Sequence, residues 1–267
     1  MSSKRMVVIA DLHCGSATGL TPPAWNKNDS PGHLKQKNKK TRNIIWDWFA
    51  SSIRKLQPID ILVVNGDAIT GKEPKSCGTE LLEPELSSQV DMAVECIEVV
   101  KAKKIVMTYG TAYHVSDAGE DWELQIANKV EAVKIGAHEW IDINGKVFDF
   151  KHHVGSSSVP YGRGTAPTKD ALWNMIWAEA QMQPKADYII RSHVHYCVGS
   201  FFFNGEKQVW AMTTPALQGM GTKFGSRRCS GTVDTGFLVF DIDDKGGVTW
   251  RPEIVLGVER KAQTLRL

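Results

Sequence analysis

Four short apolar runs punctuate the chain, and each closes on polar residues or glycine. Residues 6–10 (Met-Val-Val-Ile-Ala), 59–65 (Ile-Asp-Ile-Leu-Val-Val-Asn), 104–109 (Lys-Ile-Val-Met-Thr-Tyr) and 187–192 (Asp-Tyr-Ile-Ile-Arg-Ser) are rich in β-branched residues. Consecutive apolar positions of this kind predict strands buried on both faces. Between the runs the period changes to that of a helix. Over residues 83–103, Leu86, Val90, Ala93, Val94, Ile97 and Val100 fall on one face, with Pro84 suited to the first turn. Residues 41–56 predict a second helix, stopped by Pro58. Residues 168–183 predict a third, with Leu172, Met175 and Ile176 turned inward and Pro184 ending it. A short acidic helix is expected to start near Gly119-Glu120-Asp121. Strands alternating with helices imply a mostly parallel sheet covered on both sides.

The last third of the chain changes character. Residues 198–203 and 208–213 flank Asn204-Gly205, a strong hairpin signal, and residues 231–242 and 247–254 flank a second turn. The expectation is one domain over residues 1–267 with an antiparallel β-rich half from residue 196. No internal repeat or low-complexity segment interrupts it. Residues 14–41, rich in Gly, Pro, Asn and Lys, read as a long loop bordering the functional site.

Composition narrows the class. Of 267 residues, 42% are hydrophobic and 23% charged, ordinary for a globular protein whose core needs no disulfide staples. Five cysteines without a Cys-x-x-Cys pair argue against a disulfide framework or a zinc ribbon, and for free thiols in a reducing compartment. No apolar run reaches the length of a signal-peptide core or a membrane span, so a cytoplasmic location is expected. A net charge of +2 excludes a generic polyanion binder.

The candidate chemistry lies where the strands end. Asp11-Leu12-His13, Gly66-Asp67, Gly110-Thr111-Ala112-Tyr113-His114, His152-His153 and His193-Val194-His195 recur in that order. Residues at i and i+2 of a strand end project to one side, so Asp11 pairs with His13 and His193 with His195. Carboxylate oxygens and imidazole nitrogens suit Mn, Fe or Zn. Asp67 has two oxygens and can bridge two cations, and Gly66 lets the backbone come close to them. Neighbouring residues of a strand face opposite ways, so only one of His152 and His153 reaches the cations. The other is left to the substrate or to packing. His114 is read either as a general acid or phosphate contact, or as one more ligand. Arg163, just beyond the His152 cluster, is placed to clamp a phosphate.

This series resembles the calcineurin-like metallophosphoesterase superfamily, whose pattern runs D-x-H, G-D, G-N-H-D/E, H and G-H-x-H. The resemblance spans Asp11 to His195. It implies an α/β fold, a four-layer α-β-β-α sandwich of two mixed sheets with the active site at the strand C-terminal ends. It also implies two divalent metal ions, Mn first and Fe, Zn, Ni or Mg as alternatives. Asp11, His13 and His195 would hold one, Asp67 would bridge, and His193 and His152 would serve the second. The implied reaction is phosphoester hydrolysis by a metal-bridging hydroxide, with His114 and Asp67 as catalytic residues; the chain's own residues add Arg163 and His153 as candidate substrate contacts. Two positions depart from the pattern. The family's Asn is absent, with Thr111 or Tyr113 in its place and Asp117, Glu120 or Asp121 as alternative oxygen donors. Ser192 stands where the family has Gly.

The substrate is less legible. Lys35, Lys37, Lys39, Lys40 and Arg42 form a basic run near Trp25, Trp46, Trp48 and Phe49, a combination that suits nucleic acid. The alternative is a solvated loop leading into a helix whose Trp face packs on the core. A phosphodiester is the favoured substrate, with a phosphomonoesterase, a protein phosphatase or a metal-binding scaffold on the same fold as rivals.

Overall fold

The computed structural model describes residues 2–27, 33–74, 76–117, 119–220, 233–256 and 264, with the side chains of 27, 33–37, 116 and 117 excepted. In chain order the elements are β1 (Lys4–Ile9), α1 (His33–Lys55), β2 (Ile61–Asn65), α2 (Leu86–Glu98), β3 (Lys104–Thr108), α3 (Ala112–Val115), β4 (Ser116–Asp117), β5 (Glu120–Asp121), α4 (Trp122–Lys129), β6 (Lys134–Gly136), β7 (Glu139–Ile143) and β8 (Lys146–Phe150). They continue with α5 (Thr165–Glu179), β9 (Tyr188–Arg191), β10 (Val198–Phe203), β11 (Gln208–Thr213), β12 (Gly236–Ile242) and β13 (Val248–Ile254).

Two mixed sheets result. The first runs β13-β12-β1-β2-β3-β6 and the second β10-β11-β9-β8-β7. In the first, β1, β2, β3 and β6 are parallel and β12 joins β1 antiparallel. In the second, β8, β9 and β11 are parallel, while β7 and β10 pair antiparallel at the edges.

Alternation along the strands sorts the core into three slabs. Met6, Val8, Val63, Leu238 and Phe240 meet Phe148, Phe150, Tyr188, Ile190 and Met212 between the sheets. The opposite side chains of the first sheet, Val7, Ile9, Leu62, Val64 and Val239, pack under Ile45, Phe49 and Ile53 of α1, Val90, Ala93 and Ile97 of α2, and Ile126 of α4. Ile189, Val209 and Ala211 of the second sheet face Ala171 of α5. Helix, sheet, sheet, helix is the four-layer sandwich expected.

Several expectations need correction. α1 begins at His33, so about a third of the stretch read as a loop over 14–41 is helix. α2 begins at Leu86, leaving Pro84 ahead of it. The third helix runs Thr165–Glu179 and is turned the other way: Leu172 and Ile176 are exposed, as are Trp173 and Trp177, whereas Pro167, Ala171 and Asn174 are buried. Small side chains let α5 sit close to its sheet, and Asn174 holds the following turn by bonding Pro184 O and Ala186 N.

The basic run also reads differently. Arg42 is buried, and its guanidinium donates to Ala17 O at 2.7 Å and Asn26 Oδ1 at 2.8 Å, tying the loop after β1 to α1. Trp46 and Trp48 pack on the core, and Trp25 donates to Glu95 Oε2. Lys35 and Lys37 lie outside the described side chains. The basic run thus lies in α1 rather than in a loop, with Arg42 buried and Trp25, Trp46 and Trp48 half-buried against the core. Cys14, Cys77, Cys96 and Cys197 are free thiols, and Cys229 lies outside the described residues. Among the described residues no helix is long and apolar enough to cross a membrane.

Candidate metal centre

Every donor cluster sits one or two residues beyond the C-terminal end of a parallel strand: Asp11 and His13 after β1, Asp67 after β2, the 110–114 segment after β3, His152 after β8, and His193 and His195 after β9. The interior slab brings the two sheets together so that these ends face one another. Five of the donors leave their strands in the left-handed region: Asp11 (φ 51°), His13 (45°), Asp67 (52°), His193 (72°) and His195 (56°). That conformation is costly for a residue with a Cβ and persists only where the surroundings impose it. Backbone bonds impose it here. Asp11 N donates to Gly66 O and His13 N to Asp67 O, each at 3.1 Å, and Ser192 N donates to His152 O at 2.8 Å. His193 N reaches across the sheets to Asp11 Oδ2 at 3.1 Å.

Two triads of donors form. In the first, Asp11 Oδ1 lies 3.2 Å from His195 Nε2 and 3.8 Å from His13 Nε2, and the two imidazole nitrogens are 3.3 Å apart. Asp11 Oδ1 is buried and makes no hydrogen bond. A carboxylate oxygen left bare among imidazole nitrogens is costly unless a cation occupies the space between them. The donors fit a divalent ion. In the second triad, Asp67 Oδ2 lies 3.0 Å from His152 Nε2, with His193 beside them. Asp67 Oδ2 is also 4.0 Å from both His13 Nε2 and His114 Nε2, and those three residues form a further group able to hold an ion.

The electrostatics follow the geometry. Burial raises Asp67, but His152, His114 and His13 outweigh it and hold its carboxyl well below the ordinary range. Burial likewise raises Asp11, and His195 and His152 pull it back below. Burial, reinforced by His114, takes His13 down to about 3. Burial with His152 takes His193 down to about 4. Burial works against the charged form of His152 too, yet Asp67 raises it to about 10. Its Nδ1 faces Asn65 O at 2.8 Å, which turns Nε2 toward Asp67.

Of the adjacent histidines, His152 is buried and reaches the triad, while His153 is exposed with its ring 4.7 Å from that of His193. His114 is buried, and its Nδ1 faces Thr70 O at 2.5 Å, leaving Nε2 toward Asp67. Arg163 stacks over the ring of Tyr196, the neighbour of His195, at 4.5 Å. Of the alternative oxygen donors, Asp121 caps α4 by accepting from Leu124 N, Glu120 is exposed, and the Asp117 side chain lies outside the described residues.

Three residues matter here that sequence reasoning undervalued. Glu123 is fully buried and accepts from Ala68 N at 3.0 Å and Gly110 N at 2.7 Å, so one carboxylate fastens the segments after β2 and β3. Burial, with Asp67 nearby, raises it to about 7. Asn65 donates to Ser192 Oγ at 2.7 Å and accepts from Thr108 Oγ1 at 2.7 Å, and Ser192 Oγ meets Thr214 Oγ1 at 2.8 Å. The serine in place of glycine thus stitches the two sheets beneath the donors. Thr111 Oγ1 stands among Asp67, His152 and His193. Gly110 is required beside it, because a Cβ there would run into the Asp67 carboxylate and backbone.

No family model matches the chain, and no curated protein matches it. Among solved structures it is similar to an archaeal phosphodiesterase, with 12% identity over 94% of this chain and 99% of that one and a TM-score of 0.46. It is similar to the NAD nucleotidase of Haemophilus influenzae, with 10% identity, a TM-score of 0.45 and 95% of this chain aligned to 50% of that one. It is similar also to a phosphoesterase from E. coli, with 12% identity over 92% of this chain and 98% of that one and a TM-score of 0.42.

Proposed function

We propose that the chain is a metal-dependent phosphoesterase of the calcineurin-like type, a single unit over residues 1–267 that uses two divalent cations, Mn first. The observation that carries this reading is the position of Asp67: one carboxylate oxygen lies 3.0 Å from His152 Nε2 and 4.0 Å from His13 Nε2, so two donor triads meet at it. Asp11, His13 and His195 would hold one ion, and Asp67, His152 and His193 the other. When bound, such a pair supplies Lewis acidity and brings the pKa of water toward neutrality.

The chain's own groups do the rest. His114, anchored through Nδ1 to Thr70 O, presents Nε2 to the site, where its protonated form gives a proton to the leaving oxygen. His153 offers an exposed imidazole beside His193, and Arg163, held flat on Tyr196, offers a guanidinium to a phosphate. A phosphodiester remains the favoured substrate, a nucleotide among the candidates. Convergence of Asp11, His13, Asp67, His114, His152, His193 and His195 into groups able to hold an ion favours an active enzyme over a scaffold.

The test is hydrolysis of bis(4-nitrophenyl) phosphate by Mn-loaded protein. Asp67→Asn is expected to lower the rate on the order of 10³-fold while the circular dichroism spectrum is unchanged. A variant with the wild-type rate removes Asp67 from the reaction.

A further inference from the structure

Thr111 carries a hydroxyl that is bonded to a triad carboxylate and faces two triad imidazoles. Its Oγ1 lies 3.1 Å from Asp67 Oδ2, 3.2 Å from His193 Nδ1 and 3.5 Å from His152 Nε2. A hydroxyl has one proton and two lone pairs. The proton goes to Asp67, so the lone pairs face the imidazoles. His152 donates through Nδ1 to Asn65 O, so the Nε2 that faces the hydroxyl offers a lone pair as well once a cation displaces its proton. Carboxylate, hydroxyl and imidazole electron pairs converge on one point, and a cation satisfies all of them at once.

The position of the hydroxyl is built rather than incidental. Thr111 N donates to Asp67 Oδ1 at 2.6 Å, and the preceding Gly110 N donates to the buried Glu123 Oε2 at 2.7 Å. Side chain and backbone of Thr111 therefore grip the two oxygens of one carboxylate. The methyl group and Cβ of threonine leave χ1 few alternatives, so the oxygen is held where it stands.

We propose that the Thr111 hydroxyl is a protein ligand of the cation held by Asp67, His152 and His193. The proposal rests on the two-cation reading. It assigns the place of the absent asparagine to a side chain of different chemistry, a hydroxyl in place of an amide carbonyl.

The experiment titrates MnCl2 into chelator-stripped wild type, Thr111→Val and Thr111→Ser, followed by calorimetry and by electron paramagnetic resonance. Valine keeps the shape and removes the oxygen; serine keeps the oxygen. Wild type and Thr111→Ser are expected to take up two equivalents and show an exchange-coupled Mn pair. Thr111→Val is expected to bind the second equivalent roughly 10–100-fold more weakly and to show an uncoupled signal at one equivalent. Wild-type behaviour in Thr111→Val overturns the ligand role alone. Equal loss in Thr111→Val and Thr111→Ser also overturns it, because the hydroxyl is then not what matters. Wild type that takes up no Mn overturns the phosphoesterase reading and the ligand role together.

Discussion

The two donor triads share only β9, which supplies His195 to one and His193 to the other, and they differ in what surrounds them. The Asp11 triad holds a buried carboxylate oxygen with no hydrogen bond, facing two imidazole nitrogens. The Asp67 triad already has its charge matched: His152 is raised to about 10 by Asp67 in the ion-free protein, and Thr111 donates to the same carboxylate. One half of the centre is open to a cation, and the other is closed by a proton and a hydroxyl. Under the two-cation proposal, the difference predicts stepwise loading, with the Asp11 triad filling first.

The largest effect is expected beneath both triads, in the segment they share. β9 delivers His195 to one and His193 to the other, and Arg191 at its end is buried between Asp149 at 2.7 Å and Asp170 at 2.8 Å. Removing Asp149 breaks the buried pair and leaves Arg191 only the partly exposed Asp170 as its carboxylate partner. Asp149→Ala is therefore expected to cost about 3–5 kcal/mol in denaturant unfolding. A loss no larger than that of an exposed substitution would detach the clamp from the centre.

An intermediate effect separates the triads. His195→Ala is expected to weaken the tighter Mn equivalent and His193→Ala the looser one, each roughly 10–100-fold, read as two binding steps in calorimetry. If both variants lose the same step, the distinction between the triads fails.

The smallest effect is one proton. His152 has a folded pKa raised above its ordinary 6.5 to about 10. In chelator-stripped protein its charge therefore adds stability that is complete below pH 6.5 and is lost as pH rises through about 10. A cation entering beside it must expel that proton, whereas His13, lowered to about 3, has none to give. Between about pH 7 and 9 the second binding step should release about one proton. Calorimetry in buffers of different ionisation enthalpy reads this directly, and no proton release in that step would contradict it.

Much of this centre was legible in the sequence, for a physical reason. Strands buried on both faces read as unbroken apolar runs, so the polar residues that interrupt them mark the strand ends where Asp11, Asp67, His152 and His193 lie. What escaped has physical causes too. The first turns of α1 (His33–Lys40) are polar, without apolar periodicity to announce a helix. β6 is only three residues long, and β7 alternates weakly, although Asn144-Gly145 after it was a readable turn. α5 points its bulky residues outward and packs through small ones, the reverse of what an apolar stripe predicts. Arg42, Glu123 and Thr111 were undervalued because burial of a polar side chain depends on partners far away in the chain.

The central claim is that one carboxylate, Asp67, joins the two triads into a single dinuclear centre. Anomalous diffraction at the manganese edge from Mn-loaded crystals tests it most directly. The account predicts two peaks roughly 3.5–4 Å apart, one among Asp11, His13 and His195, the other among Asp67, His152 and His193, with the Asp67 carboxylate between them. A single peak, or two peaks with Asp67 turned away from either, would contradict it.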